Sequence, residues 1–320
     1  MSASGGNKAI LAALGANLGI AVAKFVGFLV SGSSSMLAES VHSLADTSNQ
    51  GLLLLGGRKA KKLADAEHPF GYGRERYVYA FVVSIILFSI GGVFSLYEGF
   101  EKITHPHELD NAIVPIVILV IAIGLESFSF RTAIVESNHV RGKQGWIQFI
   151  RRAKAPELPV VLLEDFAALI GLVLALAGVG LTVLTGNPIF DAIGTVCIGV
   201  LLVLVAIVLG IETKSLLVGE GATVEDTERI RDAINAHDQV ESLIHMKTLY
   251  LGPDELLVGA KVAFGRTQRL SDVATAINEL ETAIREAVPA ARIIYIEPDV
   301  YVAPNEANPA TDVFVIKAAD

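Results

Sequence analysis

Hydrophobic and polar positions fall into two regimes along the 320-residue chain. Up to about Ile211 long apolar runs alternate with short polar stretches, and beyond Glu212 charges return every few residues. A helix needs roughly 20 mostly apolar residues to cross a hydrocarbon core about 30 Å thick. Six runs meet that length, approximately Ala9–Val30, Ser35–Leu55, Val78–Phe100, Ala112–Val135, Leu158–Leu184 and Ile189–Ile211. The pattern predicts a polytopic α-helical membrane domain over residues 1–213 and a water-soluble domain over 214–320.

The second regime reads as a small α+β unit. Thr223 precedes Glu225, Asp226 and Glu228, a helix start with negative charge at the positive end of the dipole, and Ile230, Ala233 and Ile234 supply its apolar stripe. Two strand-like runs, Val240–Leu251 and Leu256–Phe264, flank the turn Gly252-Pro253-Asp254. A second amphipathic helix over Ser271–Ala287 and a last strand over Arg292–Tyr301 complete the order α-β-β-α-β. That order predicts two helices on one face of a three-stranded, ferredoxin-like sheet. The tail after Ala303 is rich in Pro, Asn and Ala and reads as loosely ordered.

Composition agrees with a membrane protein: 52% of residues are apolar, only 18% are charged, and mean hydropathy is +0.55. A net charge of −9 argues against nucleic-acid binding, which needs a basic surface. The single cysteine, Cys197, excludes an intrachain disulfide and a cysteine-based metal cage. The opening MSASGGNK lacks the basic and apolar segments of a cleaved signal peptide. Lys and Arg collect after the second run (Arg58, Lys59, Lys61, Lys62, Arg74, Arg76) and after the fourth (Arg141, Lys143, Arg151, Arg152, Lys154). Basic loops stay cytoplasmic, so both termini are expected inside, most simply in a cell inner or plasma membrane. Trp146, Phe149 and Ile150 in the second basic loop read as an interfacial anchor or a buried turn.

Ionisable groups inside a span are costly and mark function. The second run holds Glu39, His42 and Asp46, which spacings of three and four residues place on one helical face. An imidazole and a carboxylate one turn apart make half of a tetrahedral site for a borderline divalent cation such as Zn²⁺. The fifth run supplies Glu164 and Asp165, about 100° apart around a helix, so that one faces a partner helix squarely and the other a neighbouring groove. Asp165 is the expected ligand, with Glu164 as a second ligand or a proton carrier. Glu126, in GLESFSF of the fourth run, is a further buried acid, either a ligand or hydrogen-bonded to its serine neighbours.

The HxxxD of the second run, the segment HPFGYGRER from His68 to Arg76, the acidic pair of the fifth run, six spans and the α-β-β-α-β domain together resemble the cation diffusion facilitator family. The resemblance covers nearly the whole chain. It implies a homodimer, held together through its C-terminal domain, that binds a divalent cation at mid-membrane and exchanges it for protons. His42 and Asp46 match the family's second-span ligands and Asp165 the last of its fifth-span pair, whereas Val161 stands where the family has its other fifth-span ligand. In a loop metal site found in some members, Asp65 and His68 match two positions and Tyr72 replaces a histidine. Among the ligands of metal-sensing C-terminal domains, only His245 and Glu297 are candidates, with Ala260 near where a histidine is expected. The domain is therefore expected to dimerise rather than to sense zinc. Gly71 and Gly73 are expected to permit close backbone approach to that domain.

The resulting expectation is an exporter of Zn²⁺, or of Mn²⁺, Fe²⁺, Co²⁺ or Cd²⁺, in exchange for H⁺. Its partners are the cation, protons and the bilayer, with no prosthetic group and no nucleic acid. A membrane hydrolase is disfavoured because HExxH and GxSxG are missing. A metal-binding regulator without transport is the remaining class.

Overall fold

A computed structural model describes residues 3–106 and 113–303, with side chains from Asn17 onward. The Pro/Asn/Ala-rich tail lies outside the described residues. Two compact units emerge, one formed by residues 1–61 and 75–214 and the other by residues 62–74 and 215–320. The basic segment from Lys62 to Arg74 thus groups with the C-terminal residues rather than with the helices that flank it in sequence.

In the first unit, helices α1 (Ala3–Ser31) and α2 (Ser34–Lys59) are followed by α3 (Glu75–Ile86), which continues through a π-helical turn (Leu87–Val93) into α4 (Phe94–Thr104). Then come α5 (Ile113–Arg141), a short α6 (Trp146–Arg152), α7 (Glu157–Thr185) and α8 (Ile189–Val218). Among the described residues, four helical segments are long and apolar enough to cross a membrane: Glu75–Thr104, Ile113–Arg141, Glu157–Thr185 and Ile189–Val218. The described apolar part of α1, Asn17–Ser31, is shorter. At 26 residues α2 is long enough but too polar, since Ser, Glu, His, Thr and Asn side chains are buried on it.

That polarity dictates where α2 sits. It packs against α1, α3, the π turn, α4 and α7, while α5 packs on α1 and α7. An apolar core runs between the helices, with Met36, Leu87, Leu119, Leu172, Ile198 and Leu202 all buried. Large apolar side chains such as Leu29, Phe128 and Leu184 face outward, as a lipid-exposed surface requires. In α6, Phe149 is buried beside Ala133 and Leu162, Ile147 is exposed, and the Arg141 guanidinium lies 4.2 Å from the Trp146 ring centroid. Arg76 pairs with Glu157, which ties the starts of α3 and α7.

At the Ser31–Ser35 end the unit is clamped by a fully buried carboxylate. Asp191, in the first turn of α8, accepts hydrogen bonds from Ser33 Oγ (2.8 Å), Ser34 N (2.9 Å) and Ser34 Oγ (3.0 Å). Its backbone carbonyl accepts from Ser35 Oγ at 3.0 Å, and its N–H donates to Thr182 Oγ1 at 3.0 Å. One side chain therefore joins the α1–α2 turn to the α7–α8 connection. Ser33 also caps α2, its hydroxyl accepting from Met36 N.

The second unit contains α9 (Val224–Asn235), β1 (Val240–Gly252), β2 (Glu255–Phe264), α10 (Leu270–Ala287) and β3 (Ala291–Asp299), the predicted order. Thr223 caps α9 through Asp226 N. The sheet order is β1-β2-β3, with β1 antiparallel and β3 parallel to β2. The parallel pair needs a crossover, and α10 supplies it. Leu256, Val258, Ala260 and Val262 alternate inward from β2 onto Ile230, Ile234, Leu280 and Ile284 of the helices. The segment of residues 62–74 joins this unit through Gly73, where a Cβ would stand 2.7 Å from Leu251 O. Gly71 serves differently, with φ +77 and open space around it, as the turn residue.

Replacing Asp191 with Ala leaves the buried Ser34 N–H without its acceptor and takes the Asp191 partner from the Ser33 and Ser34 hydroxyls. We expect a loss of about 3 kcal/mol or more, with Asp191→Asn milder because it keeps one acceptor. Thermal unfolding in detergent checks this, and equal stability of Asp191→Ala and wild type would show that the clamp contributes nothing.

Candidate metal centre

The polar face of α2 presents Glu39, His42, Ser43, Asp46, Asn49 and Gln50 at three- and four-residue intervals. His42 is fully buried, with its Nε2 3.5 Å from Asp46 Oδ2, and neither ring nitrogen has a hydrogen-bond partner. That separation is too long for a good hydrogen bond. Asp46 Oδ1 is likewise unpartnered.

Four carboxylates from three helices line one small cavity: Asp46 of α2, Glu126 of α5, and Glu164 and Asp165 of α7. Asn17 and Ile20 of α1 and Ser43 and Gln50 of α2 complete its wall. Glu164 and Asp165 are both buried and turn toward different helices. Glu164 turns to α2, where Asn49 Nδ2 donates to its Oε1 at 2.7 Å, and Asp165 turns to α5, where Ser129 Oγ donates to its Oδ2 at 2.8 Å. Both acids nevertheless line the cavity. The serines beside Glu126 are engaged elsewhere, Ser127 with Ile123 O and Ser129 with Asp165, and Glu126 faces the cavity.

The acids surround the cavity without closing on a point. Among the described residues no group of three or more His, Cys, Asp or Glu side chains is drawn together tightly enough to hold a metal ion. Glu39 stands apart from the cavity wall: its Oε2 accepts from the buried Lys24 ammonium at 3.0 Å, and Lys24 also donates to Ser43 Oγ at 2.7 Å. Val161 packs with Phe130, Ile134 and Leu158 around Ala133, Phe149 and Leu162, and is not among the residues lining the cavity.

The structure accounts differently for the other two groups. In the segment of residues 62–74, Asp65 Oδ2 accepts from Lys62 Nζ (3.0 Å) and the Tyr72 hydroxyl (2.6 Å), and its Oδ1 from His68 N (2.8 Å). The Tyr72 hydroxyl first, then the Lys62 ammonium and the His68 N–H, hold the Asp65 carboxyl well below the usual carboxylate range. The His68 ring lies against Tyr72, centroids 4.4 Å apart. An ammonium and a phenol therefore take the places around Asp65 that a metal and a second imidazole would need. In the sheet, His245 of β1 pairs with Lys261 of β2, which pairs with Glu297 of β3. The two candidate ligands are one strand apart, with Lys261 between them, and its Nζ lies 3.0 Å from Glu297 and 3.1 Å from Asp299.

Lys24, Asn49, Ser129, Asn17 and Gln50 were not singled out from the sequence. Lys24 carried a usable signal, an ammonium in the middle of the first apolar run. Asn49 and Gln50 follow Asp46 by three and four residues and continue its face. Ser129 carried none, since a serine in a span satisfies itself on its own helix.

Comparison with known proteins places this geometry in context. Residues 10–218, about two-thirds of the chain, match the model of the cation efflux transmembrane domain. The chain is 31% identical over 243 residues to the mouse (Mus musculus) protein "Proton-coupled zinc antiporter SLC30A9, mitochondrial", covering 75% of this chain and 43% of that one. It is 30% identical over 259 residues to metal tolerance protein C4 of Arabidopsis thaliana, covering 80% of this chain and 57% of the relative. A shorter match, 38% over 68 residues and 21% of each chain, is to the magnetosome protein MamM of Paramagnetospirillum magneticum (strain ATCC 700264 / AMB-1). The chain thus spans about half the length of the first two relatives. With a membrane-spanning helical unit, an acid-lined cavity within it and a family match over residues 10–218, the chain belongs to the cation efflux, or cation diffusion facilitator, family of integral membrane proteins.

Proposed function

We propose that the protein carries a divalent cation, Zn²⁺ first, across the membrane and out of the cytoplasm in exchange for protons, by alternating access. The observation that carries this reading is the set of four carboxylates from three helices around one small cavity, beside an imidazole with two unpartnered nitrogens. Buried carboxylates in a membrane unit are expensive, and a doubly charged cation is the ligand that compensates several at once. Asp46 and Asp165 serve as principal ligands with His42 as the nitrogen donor. Glu164 fills the place left by Val161, held by Asn49, and Glu126 completes the oxygen set. Metal requires these carboxylates ionised and the imidazole neutral, so cation and protons compete for the same lone pairs. Binding on the less acidic side and proton-driven release on the more acidic side follow from that competition. Both termini lie in the cytoplasm, the second unit supports a homodimer, and the protein carries out no covalent chemistry.

Zinc is placed first because His42 supplies nitrogen and because two relatives are named for zinc antiport and metal tolerance. One observation favours a second reading within the family. The cavity wall holds four carboxylates and no imidazole, an oxygen-rich set that Mn²⁺ or Fe²⁺ accepts more readily than a histidine-rich one. Competition of Mn²⁺ and Fe²⁺ against Zn²⁺ uptake decides between them.

In proteoliposomes with an internal pH reporter, metal addition should move protons in the opposite direction to the cation. His42→Ala, Asp46→Ala and Asp165→Asn should each lower uptake at least about a hundredfold while the protein stays folded, and Glu164→Gln should lower it only partly. Normal uptake by Asp46→Ala would remove the central claim. Asn49→Ala frees Glu164 from its donor and should weaken metal binding by about tenfold with little loss of thermal stability, measured by calorimetry. The same titrations run between pH 7.5 and 5.5 should show affinity falling with pH, by about tenfold per unit for each proton released. A pH-independent affinity would show that binding is not coupled to protons.

A further inference from the structure

Six buried side-chain atoms without a hydrogen-bond partner lie along one face of α2: Glu39 Oε1, His42 Nδ1 and Nε2, Asp46 Oδ1, Asn49 Oδ1 and Gln50 Oε1. Residues 39 to 50 span about 16 Å of helix, roughly half a hydrocarbon core. Buried polar atoms are ordinarily paired, and a row of polar atoms without a partner in the protein, most of them acceptors, is the lining expected where a cation passes. The cavity holds only the lower part of this row, Asp46 and Gln50. The upper part runs through His42 to Glu39, which lies about 10 Å further along the helix from Asp46.

Glu39 is fully buried and half satisfied. Its Oε2 takes the Lys24 ammonium, while its Oε1 projects without a partner toward Gly171 of α7, where a Cβ would stand 2.5 Å from it. Glycine at 171 makes room for that oxygen. Lys24 does not depend on Glu39 alone, because Ser43 Oγ accepts from it at 2.7 Å and lines the cavity. An ammonium with two acceptors can give up one of them and remain hydrogen-bonded.

We propose that Glu39 is a second cation station on the translocation path, and that Lys24 is a tethered cation that occupies it when the transported ion is elsewhere. The proposal rests on the transport reading above. In the empty path Lys24 compensates a carboxylate that could not otherwise remain buried and charged. When the divalent cation advances from Asp46 past His42, it displaces the ammonium from Glu39 while Lys24 keeps its bond to Ser43. Return of the ammonium then competes with the cation for the carboxylate and speeds its departure. A station must bind strongly enough to be entered and weakly enough to be left, and the competing lysine sets that balance.

The test uses the full chain, with Zn²⁺ and Mn²⁺ in parallel, by calorimetry in detergent and uptake in proteoliposomes. Lys24→Gln keeps a donor for Glu39 but removes the competing charge. Its metal affinity should rise by about tenfold and its turnover should fall, since the effect of a residue adjoining a ligand is commonly tenfold or more. Lys24→Arg, which keeps the charge, should bind as wild type does. Glu39→Gln leaves the ammonium uncompensated beside the path, so affinity should fall by about tenfold. The two single variants therefore shift affinity in opposite directions, which loss of packing alone does not produce; a charge effect felt only at a distance gives the same signs but leaves uptake by the neutral double variant Lys24→Gln/Glu39→Gln unchanged. Shifts of the same sign, or no shift in either, would overturn the proposal. Should a single variant fail to fold, the neutral double variant Lys24→Gln/Glu39→Gln decides. It should retain metal affinity within about threefold yet lose at least about tenfold in uptake, and wild-type uptake by that variant overturns the station. Failure of the wild-type chain to bind or move either metal sinks the transport reading and the station with it. Wild-type uptake together with unaltered variants sinks the station alone.

Discussion

Hydrocarbon offers no hydrogen bonds and little screening, so every polar group on α2 must find its partner inside the protein. This constraint orders the whole helical unit. A helix carrying Glu39, His42, Asp46 and Asn49 on one side cannot face lipid there, and its neighbours α1, α3, α4 and α7 enclose it. Each supplied partner then sets a helix position. Lys24 fixes α1 against α2 through Glu39 and Ser43, Glu164 fixes α7 through Asn49, and Asp191 fixes the start of α8 through Ser33 and Ser34. The more apolar helices close the outside of the same arrangement.

The two ends of α2 are treated in opposite ways. Near Ser33–Ser35 every oxygen of Asp191 is met by a hydroxyl or an N–H, a network whose members support one another. From Glu39 to Gln50 acceptors are left without partners around the acid-lined cavity. A fully satisfied network holds one geometry, whereas an unsatisfied one gains by admitting a cation. The proposed transport cycle needs both, a rigid clamp and a region whose lowest-energy form changes with occupancy.

Three lysines share a role. Lys24 holds Glu39, Lys62 holds Asp65 and Lys261 holds Glu297, each at 3.0 Å, and each of those carboxylates is one that its residue type and position mark as a possible metal ligand. In the two exposed cases the pairs are worth little as stabilising contacts, yet they place a positive charge where a metal would otherwise sit. The buried case differs because leaving either partner alone away from water is costly, which makes the Lys24–Glu39 pair integral to the packing of α1 on α2 rather than a surface detail.

Hydropathy and periodicity are local properties, and what depends on them could be read directly from the chain. The long apolar runs, the α-β-β-α-β order, the Thr223 cap and the shared face of Glu39, His42 and Asp46 follow from residues within a turn or two of each other. Contacts between helices depend instead on how each one is rotated and tilted by packing, which no single run encodes. Nothing in the run around Glu164 reveals that Asn49 lies across from it, nor that Val161, one turn before Asp165, packs among Phe130, Ile134 and Leu158. The grouping of residues 62–74 with the C-terminal unit likewise depends on Gly73 meeting Leu251, residues far apart in sequence. Residue types and their periodic spacing sufficed to bring His42 and Asp46 forward as chemistry. Which carboxylates reach the cavity, and which are already held by a lysine, was settled only when the helices came together, because the partner that satisfies a buried charge comes from a different part of the chain.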